Sequence, residues 1–491
     1  MLQLIERASK YADRIAIISG GKRYSYRDLL SASRRLATQL LAGANDLREK
    51  RVAFMVTPGF DYVKTQWAIW LAGGIAVPLC TSHPLPSLRY TLEDSLSEIL
   101  VAGSEYETLL SPLVKESGLR FLKLEVLYER VEADLPQINT GRRAMILYTS
   151  GTTSKPKGVV TTHHNIESQI QALTKAWQWC ESDHILCVLP LHHVHGIINV
   201  ASCAFWSGAI CEFLPKFDAA SVMKVFQKGT VNLFMAVPTI YYKLIAYFEK
   251  LSTQEQELIS SALQQFRLMV SGSAALPVSV LEKWRVISGH TLLERYGMTE
   301  IGMALSNAYD GERKPGYVGL PLPGVGLRLV EEDGSEAKEG SPGEIQIKGH
   351  SVFIEYWNRP LVTKEAFVDG WFRTGDLSVF ENGAYKILGR NSVDIIKSGG
   401  YKISALEIEE VLRTHPKIKD CGVLGIPDEE WGEVVAASLI CPDEKPDLQE
   451  LGDWLRKKMP AYKIPRKYIF QHDLPRNTLG KVTKNELKKE F

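Results

Sequence analysis

The stretch YTSGTTSKPKGVV (residues 148–160) decides how this chain is read. Between two apolar runs it places Thr149, Ser150, Gly151, Thr152, Thr153, Ser154, Lys155, Lys157 and Gly158. The segment AMILYT before it reads as a strand, so the polar residues fall on a loop at a strand's end. Such a loop brings backbone N–H groups, hydroxyls and ammonium charges into one small volume, the donor set an oligophosphate needs. It lacks the G-K-[ST] ending of a Walker A motif and is therefore not a P-loop.

Working outward, RVAFMVT and IAVPLC read as buried strands, and SYRDLLSASRRLATQLLA has apolar residues at helical spacing behind a Ser cap. The unit recurs in HILCVLPL, AICEFLP, VNLFMAVPT and LMVSGSA, separated by helix-length segments such as DAASVMKVFQKG and PVSVLEKWRVIS. Strands alternating with helices predict mostly parallel α/β layers. After about Gly316 the texture changes to short strands punctuated by Gly and Pro, which predicts a β-rich subdomain over residues 316–390. From Asn391 helices and strands return. The expected organisation is thus an α/β N-terminal domain over residues 1–390 and a small α+β C-terminal domain over 391–491.

Composition excludes several classes. Lys and Arg total 58 against 57 acidic residues, a net charge of +1 that gives no reason to expect nucleic acid or an anionic membrane as partner. The 7 cysteines form no C-x-x-C pair, which favours a reducing compartment over a disulfide framework. QWAIWLAGGIAVPLC is shorter than the ~20 residues that span a bilayer and is broken by Gly73, Gly74 and Pro78, so it reads as a buried helix, a turn and a strand. The N-terminus carries Glu6 and Asp13 within its apolar residues and reads as mature protein with a cytoplasmic address.

Four further motifs follow in order: ERYGMTE (294–300), FRTGDL (372–377), GRNSVDIIKSGGYKISALEIE (389–409) and PRNTLGKVTKNEL (475–487). Together with the opening loop they resemble the adenylate-forming superfamily of acyl-CoA synthetases, luciferases and nonribosomal-peptide adenylation domains, over essentially the whole chain. The resemblance implies that a carboxylate attacks the α-phosphate of ATP, pyrophosphate leaves, and a thiol displaces AMP from the acyl-adenylate. Anions must meet in the first step, so positive charge and N–H dipoles have to be in place where charge develops.

By the same resemblance, residues 149–158 hold the β- and γ-phosphates. Glu300 ligates Mg²⁺, with Thr152 beside it in the phosphate loop, and Thr299 bonds the α-phosphate. Tyr296 stacks on adenine with Ser271, Gly272, Ser273 and Ala274 as the other wall, and Glu294, Arg295, Gly297 and Met298 complete the nucleotide motif. Asp376 accepts from the ribose hydroxyls and Arg390 approaches the same sugar. Lys481 is the adenylation lysine, a mobile point charge bridging carboxylate and α-phosphate. Gly399 and Gly400 line the CoA path after the C-terminal domain rotates about a pivot near Asn391 and Ser392. Small-molecule acid, ATP, Mg²⁺ and CoA are the implied ligands.

LPLHHVHGI (189–197) gathers His192, His193 and His195; its spacing matches no common structural zinc site, and His193 is expected as an aromatic gate to the acid tunnel. Within the superfamily the ERYGMTE context, with FMAVPTIYYKL and SGSAALP, looks like malonyl-CoA synthetases, the type that takes malonate and methylmalonate. A second carboxylate in the acyl pocket needs a partner, and Arg295 can supply a bidentate pair, with His195 and Lys243 behind it. Neighbouring readings are a CoA ligase for short or medium monocarboxylic or aryl acids, and acyl transfer to a carrier-protein phosphopantetheine.

Overall fold

The computed structural model describes residues 2–124, 134–149, 155–399, 401–477 and 480–491. Its first sheet runs, edge to edge, Leu320–Pro321, Gly302–Ser306, Leu293–Met298, Leu268–Ser271, Leu233–Ala236, His184–Cys187, Ile210–Phe213, Ile15–Ser19 and Lys22–Ser25. From Leu293–Met298 to Ile15–Ser19 the strands are parallel, and antiparallel strands close both ends. The second sheet is built around Arg143–Tyr148, Ile75–Pro78, Arg51–Met55, Ile99–Ala102 and Arg120–Lys123, again parallel. Gly158–Thr162 and Glu355–Tyr356 are added antiparallel at its edge.

These strands form where expected because their residues are apolar on both faces: Leu233, Phe234, Met235 and Ala236 are all fully buried, as parallel strands covered by helices must be. The helix Tyr26–Leu41 starts at a capping box, Ser25 accepting from the Asp28 N–H while Asp28 accepts from the Ser25 N–H. The helix Phe60–Leu71, the turn at Gly73 with φ +78°, and the strand Ile75–Pro78 account for the most apolar stretch of the chain.

The third sheet is antiparallel and contains Val325–Val330, Pro342–Gly349, Trp371–Glu381, Phe367–Val368 and Ala384–Arg390, the β-rich texture read from Gly and Pro. The fourth, Ile395–Ser398, Tyr401–Ser404, Asp420–Asp428, Gly432–Ile440 and Lys467–Phe470, carries the helices Ala405–Arg413 and Leu448–Arg456 over its own apolar core of Ile403, Ile408, Val423, Leu439 and Leu451. The molecule therefore has a large N-terminal domain and a small C-terminal one, each with a core of its own.

The small domain lies over the carboxyl ends of the parallel strands, where open α/β sheets bind ligands. Glu410 accepts from the Val278 N–H at 3.1 Å, Lys402 pairs with Glu332 at 2.7 Å, and Gly480 sits so close to Thr239 that a Cβ there would lie 2.7 Å from its hydroxyl oxygen.

Candidate active site

Between the two domains is a cleft of about 1570 Å³. The large domain contributes Thr149, Lys157, His193, His195, Ser271–Ala274 and Glu294–Glu300, the third sheet Asp376 and Arg390, and the small domain Lys481. Motifs separated by hundreds of residues, carried by four different sheets, thus converge on one cleft. Lys155, Gly158 and Gly399 do not line the cleft: the Lys155 ammonium rests over the Tyr90 ring, a Cβ on Gly158 would meet Ile146, and one on Gly399 would meet Trp431. Ser150, Gly151, Thr152, Thr153, Ser154 and Gly400 lie outside the described residues.

Asp376 is held from two sides. The Tyr296 hydroxyl donates to its Oδ2 at 2.6 Å and Arg390 Nε donates to its Oδ1 at 3.0 Å, while the Asp376 N–H donates to the Thr374 hydroxyl. Each carboxylate oxygen keeps capacity to accept a further hydrogen bond. Tyr296 is thereby fixed through its hydroxyl, with its ring left as a wall.

Glu300 is 5% exposed, and its Oε1 accepts from Tyr356 at 2.9 Å. Burial raises its pKa above the ordinary value of 4.5, with Tyr356, Arg390 and Lys157 pulling the other way. Lys157 Nζ stands 4.3 Å from the centre of the Tyr356 ring, tying the phosphate-loop strand to the same carboxylate. A buried acceptor short of positive charge fits a hard divalent cation that also takes phosphate oxygens, and Glu300 would be its protein ligand. When bound, such a cation neutralises phosphate charge.

Lys481 keeps an accessible side chain, but the crowded cleft lowers its pKa from 10.5. Dehydration is the largest cause; Arg390 and Arg295 add to it, and Asp376 and Asp394 oppose it. The loop that carries it is pinned by Asn477, whose Oδ1 accepts from the Lys481 N–H at 3.0 Å, and by Arg476, which donates to the Gly480 carbonyl at 2.7 Å.

Arg295 is 3% exposed and, among the described residues, has no carboxylate within ion-pair distance. Its Nη2 donates to Ser273 Oγ at 3.2 Å, its Nε has no partner among the described residues, and burial pulls the guanidinium down to about 9. Glu294, its neighbour in sequence, points elsewhere: the carboxyl accepts from the Gly316 N–H, and burial pushes it up to about 8. His195 begins a π-helical segment, His195–Ser202, and its Nδ1 lies 3.3 Å from Ser273 Oγ. Burial holds His195 well below 6.5 and His193 at about 4, so both are neutral at pH 7.

Sequence reasoning missed Tyr356, whose place beside Glu300 depends on the pairing of Glu355–Tyr356 with Gly158–Thr162 and leaves no local signal. It also passed over Asp394 and Lys484, although both lie inside quoted motifs. Lys484 pairs with Asp394 at 2.7 Å and Glu409 at 3.0 Å, and Asp394 accepts from the Arg390 N–H.

The AMP-binding enzyme model matches residues 4–357, and the model of the AMP-binding enzyme C-terminal domain matches residues 407–481. The mitochondrial malonate–CoA ligase ACSF3 of Xenopus laevis is 45% identical over 100% of this chain and 92% of its own length. Crystalline ATP-bound MatB from Rhodopseudomonas palustris superposes with a TM-score of 0.90 at 31% identity, covering 100% of this chain and 98% of that one. o-Succinylbenzoate CoA synthetase of Bacillus subtilis, in complex with ATP and magnesium, gives 0.86 at 29% identity over 99% of both chains.

Proposed function

The chain belongs to the AMP-binding enzyme family, and from that premise we propose that it is an AMP-forming acid–thiol ligase that adenylates malonate or methylmalonate and passes the acyl group to CoA. ATP, Mg²⁺ and CoA are its ligands. The observation that carries the choice of acid is Arg295: a buried guanidinium facing the cleft without a carboxylate partner among the described residues. A buried unpaired ion is costly and a substrate carboxylate relieves it. A monocarboxylic acid cannot.

The roles follow the geometry. Asp376 and Arg390 receive the ribose, the Tyr296 ring and residues 271–274 enclose the adenine, and Lys157 with the adjoining loop takes the terminal phosphates. Thr299, which lines the cleft, bonds the α-phosphate. Glu300 holds the cation. Lys481 draws the reacting carboxylate and the α-phosphate together, while Arg295 holds the distal carboxylate at the other end of the same short acid. His193 stands as a neutral wall between acid and thiol. We place the division between the domains after Arg390, with Gly399 and Gly400 lining the CoA path once the small domain turns.

No helix among the described residues is long and apolar enough to cross a membrane, and all seven cysteines are free. A cytoplasmic address is the alternative to the mitochondrial one that the frog relative bears, and cell fractionation decides between them.

Two charge-assisted hydrogen bonds at ~1.5–3 kcal/mol each, with ~1.4 kcal/mol per tenfold, separate malonate from a monocarboxylate by about 10²–10⁴. AMP release measured with malonate, methylmalonate, acetate, hexanoate and benzoate should show that preference. Arg295→Ala should raise the KM for malonate far more than that for ATP; an unchanged malonate KM removes Arg295 from the pocket, and equal rates with hexanoate remove the malonate assignment.

A further inference from the structure

Two residues at the turn after Leu268–Ser271 build the seat of the Arg295 guanidinium. A Cβ on Gly272 would lie 2.6 Å from Arg295 Cζ, 2.7 Å from Nε and 2.8 Å from Nη1, so the guanidinium occupies the space a side chain at 272 would need. The requirement at this glycine is room, because its φ lies outside the left-handed region. Ser273 is the reverse case. Its φ is +70°, a conformation that costs a serine free energy, yet a hydroxyl residue stands there.

The hydroxyl has a use. Arg295 is a donor only, so Ser273 Oγ must accept from Nη2 at 3.2 Å, which leaves the hydroxyl hydrogen free to point to His195 Nδ1 at 3.3 Å. An imidazole that accepts at Nδ1 carries its proton on Nε2. His195, 4% exposed, therefore presents an Nε2–H donor that has no partner among the described residues, beside the Nε–H of Arg295, which has none among them either. Ser271 Oγ, wholly buried in the same wall, has no partner among the described residues. Polar atoms this deep are paired in folded proteins unless a ligand completes them.

We infer that Gly272 and Ser273 are specificity-determining positions: Gly272 makes the space in which Arg295 lies, and the strained Ser273 fixes both the guanidinium and the His195 tautomer so that their free N–H groups meet the second carboxylate of a dicarboxylic acid. The inference rests on the reading of Arg295 given above. It adds that removing the seat, with Arg295 still in the sequence, converts a dicarboxylate ligase into one that discriminates poorly.

The test is the ratio of kcat/KM for malonate to that for butyrate, an acid of similar length with one carboxylate, in the full-length protein. Ser273→Gly relieves the backbone while deleting the hydroxyl, so it should fold at least as stably as the parent and lose about tenfold or more in the ratio. Gly272→Ala should lose about 100-fold, its methyl group displacing the guanidinium. A role limited to packing or to the nucleotide lowers both acids together and leaves the ratio fixed. A parent enzyme with a large ratio that both variants retain overturns the seat while sparing Arg295; a parent ratio near one removes the Arg295 reading itself.

Discussion

Glu294 and Arg295 are adjacent in sequence and have opposite fates, which is the clearest lesson at the scale of the residue. On a strand successive side chains face opposite ways, so Glu294 turns toward Gly316 while Arg295 turns toward Ser273, and the ion pair that adjacency suggests does not form. Each buried group then carries a measurable signature. The Glu294 pKa is about 8 in the folded protein against an ordinary 4.5, with burial as the main cause and nearby Glu410 adding to it. The folded state holds that proton more tightly than the unfolded one, so the contribution is fully present below pH 4.5 and is lost as the pH rises through about 8. Chemical denaturation of Glu294→Gln at several pH values should therefore show a shallower fall in stability across that window than the parent. Parallel curves for the two proteins would remove Glu294 as the source.

Among elements, the helix Val278–Ser288 lacks a side-chain cap of its own, since Pro277 occupies its N-cap position. The cap comes from the other domain: Glu410, on the helix Ala405–Arg413, accepts from the Val278 N–H. A carboxylate at a helix N-terminus satisfies an orphan donor and meets the positive end of the helix dipole, together worth ~1–2 kcal/mol. That contact is made in the arrangement in which the small domain covers the cleft with Lys481 in it. Glu410→Ala should accordingly slow ATP–pyrophosphate exchange by roughly 5–30-fold, the factor that ~1–2 kcal/mol commands, and leave transfer to CoA from a supplied acyl-adenylate much less affected. Equal losses in both half-reactions would assign Glu410 to general stability instead. The elements themselves were legible: Ser25 and the apolar period marked the helix Tyr26–Leu41, and the runs around Phe234 and Val270 marked buried strands. The trans cap was not, because nothing near Val278 in sequence signals a partner 132 residues away.

At the scale of the molecule, the ion group of Lys484, Asp394 and Glu409 joins the loop of Lys481 to the backbone of Arg390, and so to the carboxylate of Asp376. Removing the ammonium strips the half-buried Asp394 of its cation and leaves the buried Glu409 with Arg413 alone, at 3.3 Å, at a cost of about 3 kcal/mol. Calorimetry of Lys484→Ala should show that loss in the small domain's transition, whereas Lys481→Ala, an accessible side chain, should shift it by no more than ~0.5 kcal/mol while abolishing adenylation. A Lys484→Ala transition at the parent temperature would dissolve the brace. The sequence by itself determined the α/β class and the order of a large domain before a small one, and it pointed to Asp376, Arg390 and Lys481 among the residues that line the cleft, because hydrophobic period, turn residues and motif order are local properties written along the chain. Tertiary structure alone decided that Tyr356 sits on Glu300, that Glu410 caps a helix across the domains, and that Arg295 is buried with no acid beside it among the described residues. Those facts depend on strand pairing and domain docking between distant segments, and burial without a partner is a property of the surroundings that no residue announces for itself.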